Sequence, residues 1–239
     1  METIKLENIR FKYPKSDRYI FESLNINFYQ NKLNVVVGYN GAGKTTLFDI
    51  ITLLLQVENG NIISIKNKNE ILYQTQTANL FSALKGKDLT RFIFGTSRSK
   101  RSLDIASFNE REKELFNRLS TIKIGDMSVG ERRWLLITLL THLDKKLFIF
   151  DEPTTGVDPS SRKKILQKLH TLAQEENTTV IMSTHNLQEM AFVDCHINLL
   201  HHGEIVFNGD YNNFVSCVPT LDPDEAFEYY TETKYKQSI

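Results

Sequence analysis

Gly38-Tyr39-Asn40-Gly41-Ala42-Gly43-Lys44-Thr45 is the stretch that decides the fold. It fills the pattern G-x-x-x-x-G-K-[ST] without a gap, and its flanks are those the pattern requires. Leu33-Asn34-Val35-Val36-Val37 precedes it, a β-branched run of the kind found in strands buried on both faces. A helix-compatible run from Lys44 to Val57 follows. Gly38, Gly41 and Gly43, with Asn40 and Ala42 between them, let successive backbone N–H groups turn inward around a phosphate. The start of the helix, at Lys44, Thr45 and Thr46, adds its partial positive charge. Lys44 can reach the β- and γ-phosphates of a nucleotide, and the Thr45 hydroxyl can ligate Mg²⁺.

Working outward, the next signal is Leu147-Phe148-Ile149-Phe150-Asp151-Glu152. Four apolar residues of a buried strand end in two acids. Asp151, at the carboxyl end of the strand, is placed to hold a Mg²⁺ shell directly or through water. Glu152 can orient an attacking water and accept its proton. Taken alone, the two acids would equally cap a following helix; beside a phosphate loop the catalytic reading is favoured.

The rest of the chain alternates strand and helix patterns. Apolar residues alternate at Ile4, Leu6, Ile9, Phe11 and Tyr13, and again at Leu24, Ile26 and Phe28. Glu58-Asn59-Gly60-Asn61 is a turn signal, with short strands expected at Ile62–Ile65 and Ile71–Tyr73. From residue 82 to about 126 strand patterns give way to charged, helix-compatible segments, an inserted helical subdomain. A helix is expected from Ser128 to Leu143, and another from Pro159 with Asp158 as its cap. Thr178 to Ser183 is a further buried strand, and Ile197–Leu200 with Glu204–Phe207 a closing hairpin. The expected fold is α/β: a P-loop NTPase core with a mostly parallel sheet, an N-terminal antiparallel β subdomain and the inserted helices. As one domain over 1–239, the core takes residues 1–81 and 144–215, the helical subdomain 82–143 and a tail 216–239.

Composition narrows the function classes. The 239 residues carry 29 Lys plus Arg and 29 Asp plus Glu, so no overall field draws in nucleic acid. Hydrophobic residues at 41% and charged residues at 24% are ordinary for a globular chain and exclude wholesale disorder. No apolar run approaches the ~18 residues of a spanning helix, and the charged N-terminus lacks a signal-peptide core. The two cysteines, Cys195 and Cys217, are expected to be reduced. The spacing of Cys195-His196 and His201-His202 fits no common metal site. The basic run Arg98 to Arg101 reads as a solvated loop.

Several motifs in one order make the chain resemble the ATP-binding subunit of an ABC transporter, of single-cassette type. The resemblance covers nearly the whole chain. It implies ATP and Mg²⁺ as cofactors, with Thr45, Gln76 and Asp151 as metal ligands and Glu152 and His185 as catalytic groups. Tyr13, in Phe11-Lys12-Tyr13-Pro14, resembles the aromatic that stacks on adenine, with Phe11 as the competing ring. Gln76 resembles the family's loop glutamine, with Gln74 two residues away as the alternative. Met127-Ser128-Val129-Gly130-Glu131 resembles the signature L-S-G-G-Q but departs from it at Met127, Val129 and Glu131. Ser128 and Gly130 are retained, and in the family they act on ATP held by the opposite subunit. Val129 raises a question of backbone approach, because valine tolerates positive φ poorly. Asp158 resembles the acid of the loop that follows, and His185 the switch histidine beside the γ-phosphate.

The mechanism implied is ATP-driven closure of a head-to-tail dimer of such subunits, homomeric or heteromeric. Membrane spans must come from separately encoded permease subunits, with the helices around Gln76 as their docking surface. The resemblance implies a cytoplasmic protein, peripheral on the inner face of the cell membrane, with export favoured over import and no nucleic acid bound. The rival expectations are a soluble ABC ATPase acting on ribosome or DNA, and an ATP-gated regulatory module without turnover.

Overall fold

The computed structural model describes residues 4–77, 80–97 and 103–234. The basic run at 98–101 lies outside the described residues. In chain order, β1 (Ile4–Phe11) and β2 (Phe21–Phe28) are followed by β3 (Leu33–Val37), α1 (Lys44–Ile51), β4 (Asn59–Ile63) and β5 (Ile71–Gln74). Three helices come next: α2 (Gly86–Thr96), α3 (Glu110–Thr121) and α4 (Val129–Thr141). β6 (Leu147–Phe150), α5 (Pro159–Ala173), β7 (Thr179–Thr184), β8 (Cys195–His201) and β9 (Glu204–Asp210) rebuild the core, and α6 (Tyr211–Val215) and α7 (Pro223–Glu228) end it.

Two sheets form. The N-terminal one is antiparallel, in the order β2-β1-β4. The other has six strands in the order β5-β6-β7-β3-β8-β9, parallel except for the β8–β9 hairpin. All five residues of β3 and all four of β6 are buried. The period of two along each strand then sorts their side chains between two cores. Val35, Val37, Phe148 and Phe150 face α5, whose Ile165, Leu166 and Leu169 complete that cluster. Val36, Leu147 and Ile149 face α1 and the antiparallel sheet. Because β3, β6 and β7 run parallel as neighbours, the loops at their carboxyl ends emerge along one edge, which is where ligands bind in sheets of this kind.

The inserted helices carry a third core of their own, with Leu89, Phe116, Leu119, Trp134, Leu135 and Leu139 buried in it. Ile137, on the same helix as Trp134, faces the first core instead, so α4 is shared between the two. Its cap is a reciprocal one: Ser128 Oγ accepts from Glu131 N at 3.2 Å and the Glu131 carboxylate accepts from Ser128 N at 2.9 Å. Asp158 caps α5, with Pro159 in its first turn, as the sequence predicts. Both cysteines are free thiols, and burial pushes the Cys195 thiol up to about 12. Among the described residues no helix is long and apolar enough to cross a membrane.

Two elements differ from expectation. The strand expected at Ile62–Ile65 begins instead at Asn59, so the turn signal lies inside it. Gly60 is the reason: β1 bulges at Asn8, where φ is 51°, and a Cβ on Gly60 would stand 2.7 Å from Asn8 O and 2.8 Å from Glu7 O. The glycine serves close strand approach rather than a turn. The helix expected from Lys44 to Val57 stops at Ile51. Thr52 turns its hydroxyl back to Phe48 O at 2.8 Å and Leu53 takes φ 57°, which frees Leu55 and Val57 to pack on the second core.

Candidate functional site

The loop between β3 and α1 depends on its glycines. Gly41 and Gly43 have φ 82° and 105°, the left-handed region. A Cβ on Gly38 would stand 2.5 Å from Leu200 O, so only glycine lets the loop lie against β8. Lys44 is 7% exposed, and its Nζ donates to Gly38 O at 2.8 Å and Tyr39 O at 3.1 Å. The loop thus closes around its own lysine. Burial drives the Lys44 pKa below its ordinary value, against the pull of Glu152 and Asp151.

The ends of β6 and β7 bring the acids to this loop. Thr45 Oγ1 donates to Asp151 Oδ2 at 2.7 Å, and Ser183 Oγ donates to Asp151 Oδ1 at 2.5 Å. The same Ser183 oxygen accepts from Glu152 N at 2.9 Å. Glu152 has φ 49°, uncommon for a non-glycine residue, and this conformation comes with a set of fixed partners for its carboxylate. Its Oε2 accepts from Thr155 Oγ1 at 2.9 Å and Gln76 Nε2 at 3.1 Å, and its Oε1 lies 3.3 Å from His185 Nδ1. Burial pushes the Glu152 carboxyl up, but the Thr155 hydroxyl, His185 and Lys44 outweigh it and hold the pKa below the ordinary value. A carboxylate so held stays ionised and ready to accept a proton.

Of the two glutamines, Gln74 is buried in β5 and Gln76 reaches Glu152. Arg133 of α4 donates to the Gln76 carbonyl at 3.4 Å, tying the helical part to the site. Of the two aromatic candidates, Phe11 is 3% exposed and Tyr13 is 41% exposed. Tyr13 is braced edge-on by Phe11 at 5.1 Å, and its hydroxyl lies 2.9 Å from Thr46 Oγ1. Tyr13, Lys44, Thr45, Thr46, Gln76, Asp151, Glu152 and His185 therefore form one connected group with the glycine loop.

Ser128, Gly130 and Asp158 form a second group. A Cβ on Gly130 would meet Asp158 Oδ2 at 2.8 Å and Ser161 Oγ at 2.9 Å, so a larger residue there would displace the side chains that form the cap of α5. The side chains and amides of Ser161 and Ser160 hold the Asp158 carboxyl well below the usual carboxylate range. Val129 is the first residue of α4, exposed, and free of the positive φ that would strain it.

Two residues of the site escape sequence reasoning. Ser183 is fully buried between Asp151 and Glu152, and Thr155 holds the Glu152 carboxylate. The one available signal was a serine inside the buried strand Thr179–Thr184. Ser183→Ala is expected to cost about 1–3 kcal/mol of stability, because it strips partners from two buried groups. It is also expected to slow ATP turnover about 10- to 100-fold by loosening both acids. Denaturant titration and steady-state hydrolysis check the two effects. The cysteine–histidine positions gather no such group: His201 and His202 meet edge-on with centroids 4.2 Å apart, and His196 lies edge-on to Tyr29 at 4.8 Å. Among the described residues no three His, Cys, Asp or Glu side chains converge as a metal site.

Comparison with known proteins identifies the family. A family model described as ABC transporter matches residues 21–155. A protein of Methanothermobacter marburgensis named as an ABC transporter ATP-binding protein is 30% identical over 243 residues, covering 92% of this chain and 84% of the relative. The energy-coupling factor transporter ATP-binding protein EcfA1 of Mycoplasma mobile is 27% identical over 227 residues, covering 87% and 80%. Among solved structures, an ATP-binding subunit of an ABC transporter superposes with TM-score 0.73 at 20% identity, over 95% of this chain and 98% of that one. A cassette in a post-hydrolysis state with ADP and Pi superposes at 0.66 and 20% identity, over 87% and 98%. The phosphate loop, the two acids beside it and these matches lead to one assignment: the chain belongs to the ABC transporter family, as one of its ATP-binding, ATP-hydrolysing subunits.

Proposed function

We propose that this chain powers transport through separately encoded membrane-spanning subunits, by ATP-driven closure against a second cassette. The observation that carries the reading is the convergence of Lys44, Thr45, Asp151, Glu152 and His185 on one edge of the parallel sheet. In this reading Gly38, Asn40, Gly41, Ala42, Gly43, Lys44, Thr45 and Thr46 bind the phosphates, and Tyr13 offers its open ring face to adenine. Glu152 takes the proton of the attacking water and His185 steadies that water beside the γ-phosphate.

A hydroxyl, an amide and a carboxylate offer the hard oxygen donors Mg²⁺ prefers; Thr45 and Asp151 are in direct contact, and the Gln76 amide lies against the adjacent Glu152. These three residues would hold the ion, which would supply charge neutralisation at the phosphates. The Thr45–Asp151 hydrogen bond, of ordinary length at 2.7 Å, holds two of these oxygens side by side.

In this reading Ser128, Gly130 and Asp158, at the neighbouring caps of α4 and α5, act on ATP held in a partner cassette, as the resemblance implies. Residues 82–143 form the helical subdomain in this reading, between core segments 1–81 and 144–215, with 216–239 as tail. The exposed apolar side chains Leu54, Phe81 and Phe92 support a protein partner for this chain. Such a chain works on the cytoplasmic face of the membrane, without nucleic acid.

Export rests on the sequence resemblance alone, whereas the Mycoplasma mobile relative carries the energy-coupling factor name; the identity of the membrane partner assigns the direction. The test is capture of tagged Glu152→Gln protein from detergent-solubilised native membranes with ATP and Mg²⁺, read by mass spectrometry. One or two multi-span proteins are expected. Ribosomal or DNA-bound proteins with no membrane partner would overturn the transport reading and leave the ATPase standing.

A further inference from the structure

The phosphate loop has a neighbour from the far end of the chain. Helix α7 begins at Pro223, and its cap Asp222 accepts from Asp224 N at 2.9 Å and Glu225 N at 3.0 Å. Its inner side is fastened to the core. Ala226 is buried, and the Tyr230 ring just after the helix lies 5.5 Å from Phe214 and 4.8 Å from Phe207. Burial pushes the Tyr230 hydroxyl up to about 12, in keeping with a fixed element.

Between these anchors stands Phe227. Its ring meets the Tyr39 ring edge-on, with centroids 4.7 Å apart and planes at 87°. Tyr39 is the second residue of the phosphate loop, and its carbonyl accepts from Lys44 Nζ at 3.1 Å and from Ala42 N at 3.1 Å. The ring that touches Phe227 and the carbonyl that holds Lys44 thus belong to one residue. The helix also reaches the other side of the site: Asp224 Oδ2 accepts from Gln188 Nε2 at 3.1 Å, in the turn Gln188–Phe192 that follows His185.

We infer that Phe227 is a positioning residue for ATP, fixing the phosphate loop through the Tyr39 ring. The inference rests on the reading of Gly38–Thr45 as the nucleotide site. Phe227 touches no reacting atom; it narrows the conformations of the loop that must receive the phosphates. Lost order in the free loop weakens binding and leaves the chemical step alone. An edge-to-face pair of this geometry is strong enough to change that equilibrium by roughly two- to tenfold.

The experiment is a double-mutant cycle in the full chain, read as KM and kcat for ATP in Phe227→Ala, Tyr39→Ala and the double variant. Phe227→Ala is expected to raise KM roughly two- to tenfold with kcat within about twofold. The double variant is expected to match Tyr39→Ala alone, and Phe227→Tyr to restore the wild-type KM. Phe227→Leu keeps the apolar volume and so the fold, and is expected to keep the raised KM. Wild-type KM in Phe227→Ala or Phe227→Leu, or single effects that multiply in the double variant, would overturn the inference alone. A wild-type protein that neither binds nor hydrolyses ATP would overturn the phosphate-loop reading itself, and the inference with it.

Discussion

Glu152→Gln is expected to lower ATP turnover by about 10²- to 10⁴-fold while ATP still binds. The substitution keeps the size of the side chain, removes its negative charge and turns one acceptor oxygen into an NH2 donor. The phosphate-binding groups, Lys44 and the glycine loop, are untouched. What is lost is the ionised acceptor that Thr155, Gln76 and His185 surround. A glutamine amide cannot take a proton from water, so in the proposed mechanism turnover slows. The check is single-turnover hydrolysis beside equilibrium binding of ATP on the same preparation. Undiminished turnover would remove Glu152 from the mechanism.

Lys44→Met is expected to do the reverse, removing affinity and sparing the free protein. A hydrogen bond to a charged group contributes about 1.5–3 kcal/mol, so ATP binding should weaken roughly 10- to 150-fold. Without nucleotide the ammonium is buried and its pKa is pushed down. The unfolded chain holds that proton more tightly than the folded one does. This group therefore costs stability at neutral pH, a cost that fades as pH rises through the folded pKa toward the ordinary 10.5. Methionine removes the penalty and keeps the volume. The apo variant should melt at the wild-type temperature or above it, and its melting point should need roughly 10- to 150-fold more ATP to rise as far as that of the wild type. An apo variant that melts well below wild type would mean that the lysine holds the loop together.

The parts of the fold legible in sequence are those where one local pattern allows one structure. The glycine loop with its lysine and the apolar run ending in Asp151-Glu152 are of this kind, as are the caps Ser128 and Asp158. The strand at Asn59 was misread because a glycine has two uses, and its second use, approach to the bulged β1, depends on a residue about fifty positions away. The short α1 was misread because helical periodicity says nothing of where tertiary packing recruits Leu55. Within the site, the acids were legible and their holders were not. Ser183 and Thr155 are ordinary in sequence, and only the pairing of β6 with β7 sets Ser183 against Asp151. The contact of Tyr39 with Phe227 is invisible for the same reason.

The central place of β3 also sets a timetable. Its two neighbours are β7 and β8, which pair with it through residues 180–184 and 195–199. During synthesis an apolar strand that ends up wholly buried must wait for about 147 further residues before its first partner emerges and about 162 before it has one on both sides. At roughly 5–20 residues per second this is about 10–30 s. The nucleotide loop has no floor in that interval, since Gly38 rests on the backbone of Leu200. Nascent chains arrested before β8 emerges should therefore gain no protease protection from ATP, and chains arrested well beyond it should. Protection of the shorter chains would mean that the loop forms without its sheet. For most of its birth this ATPase is an unmated strand, a natural client for a holding chaperone.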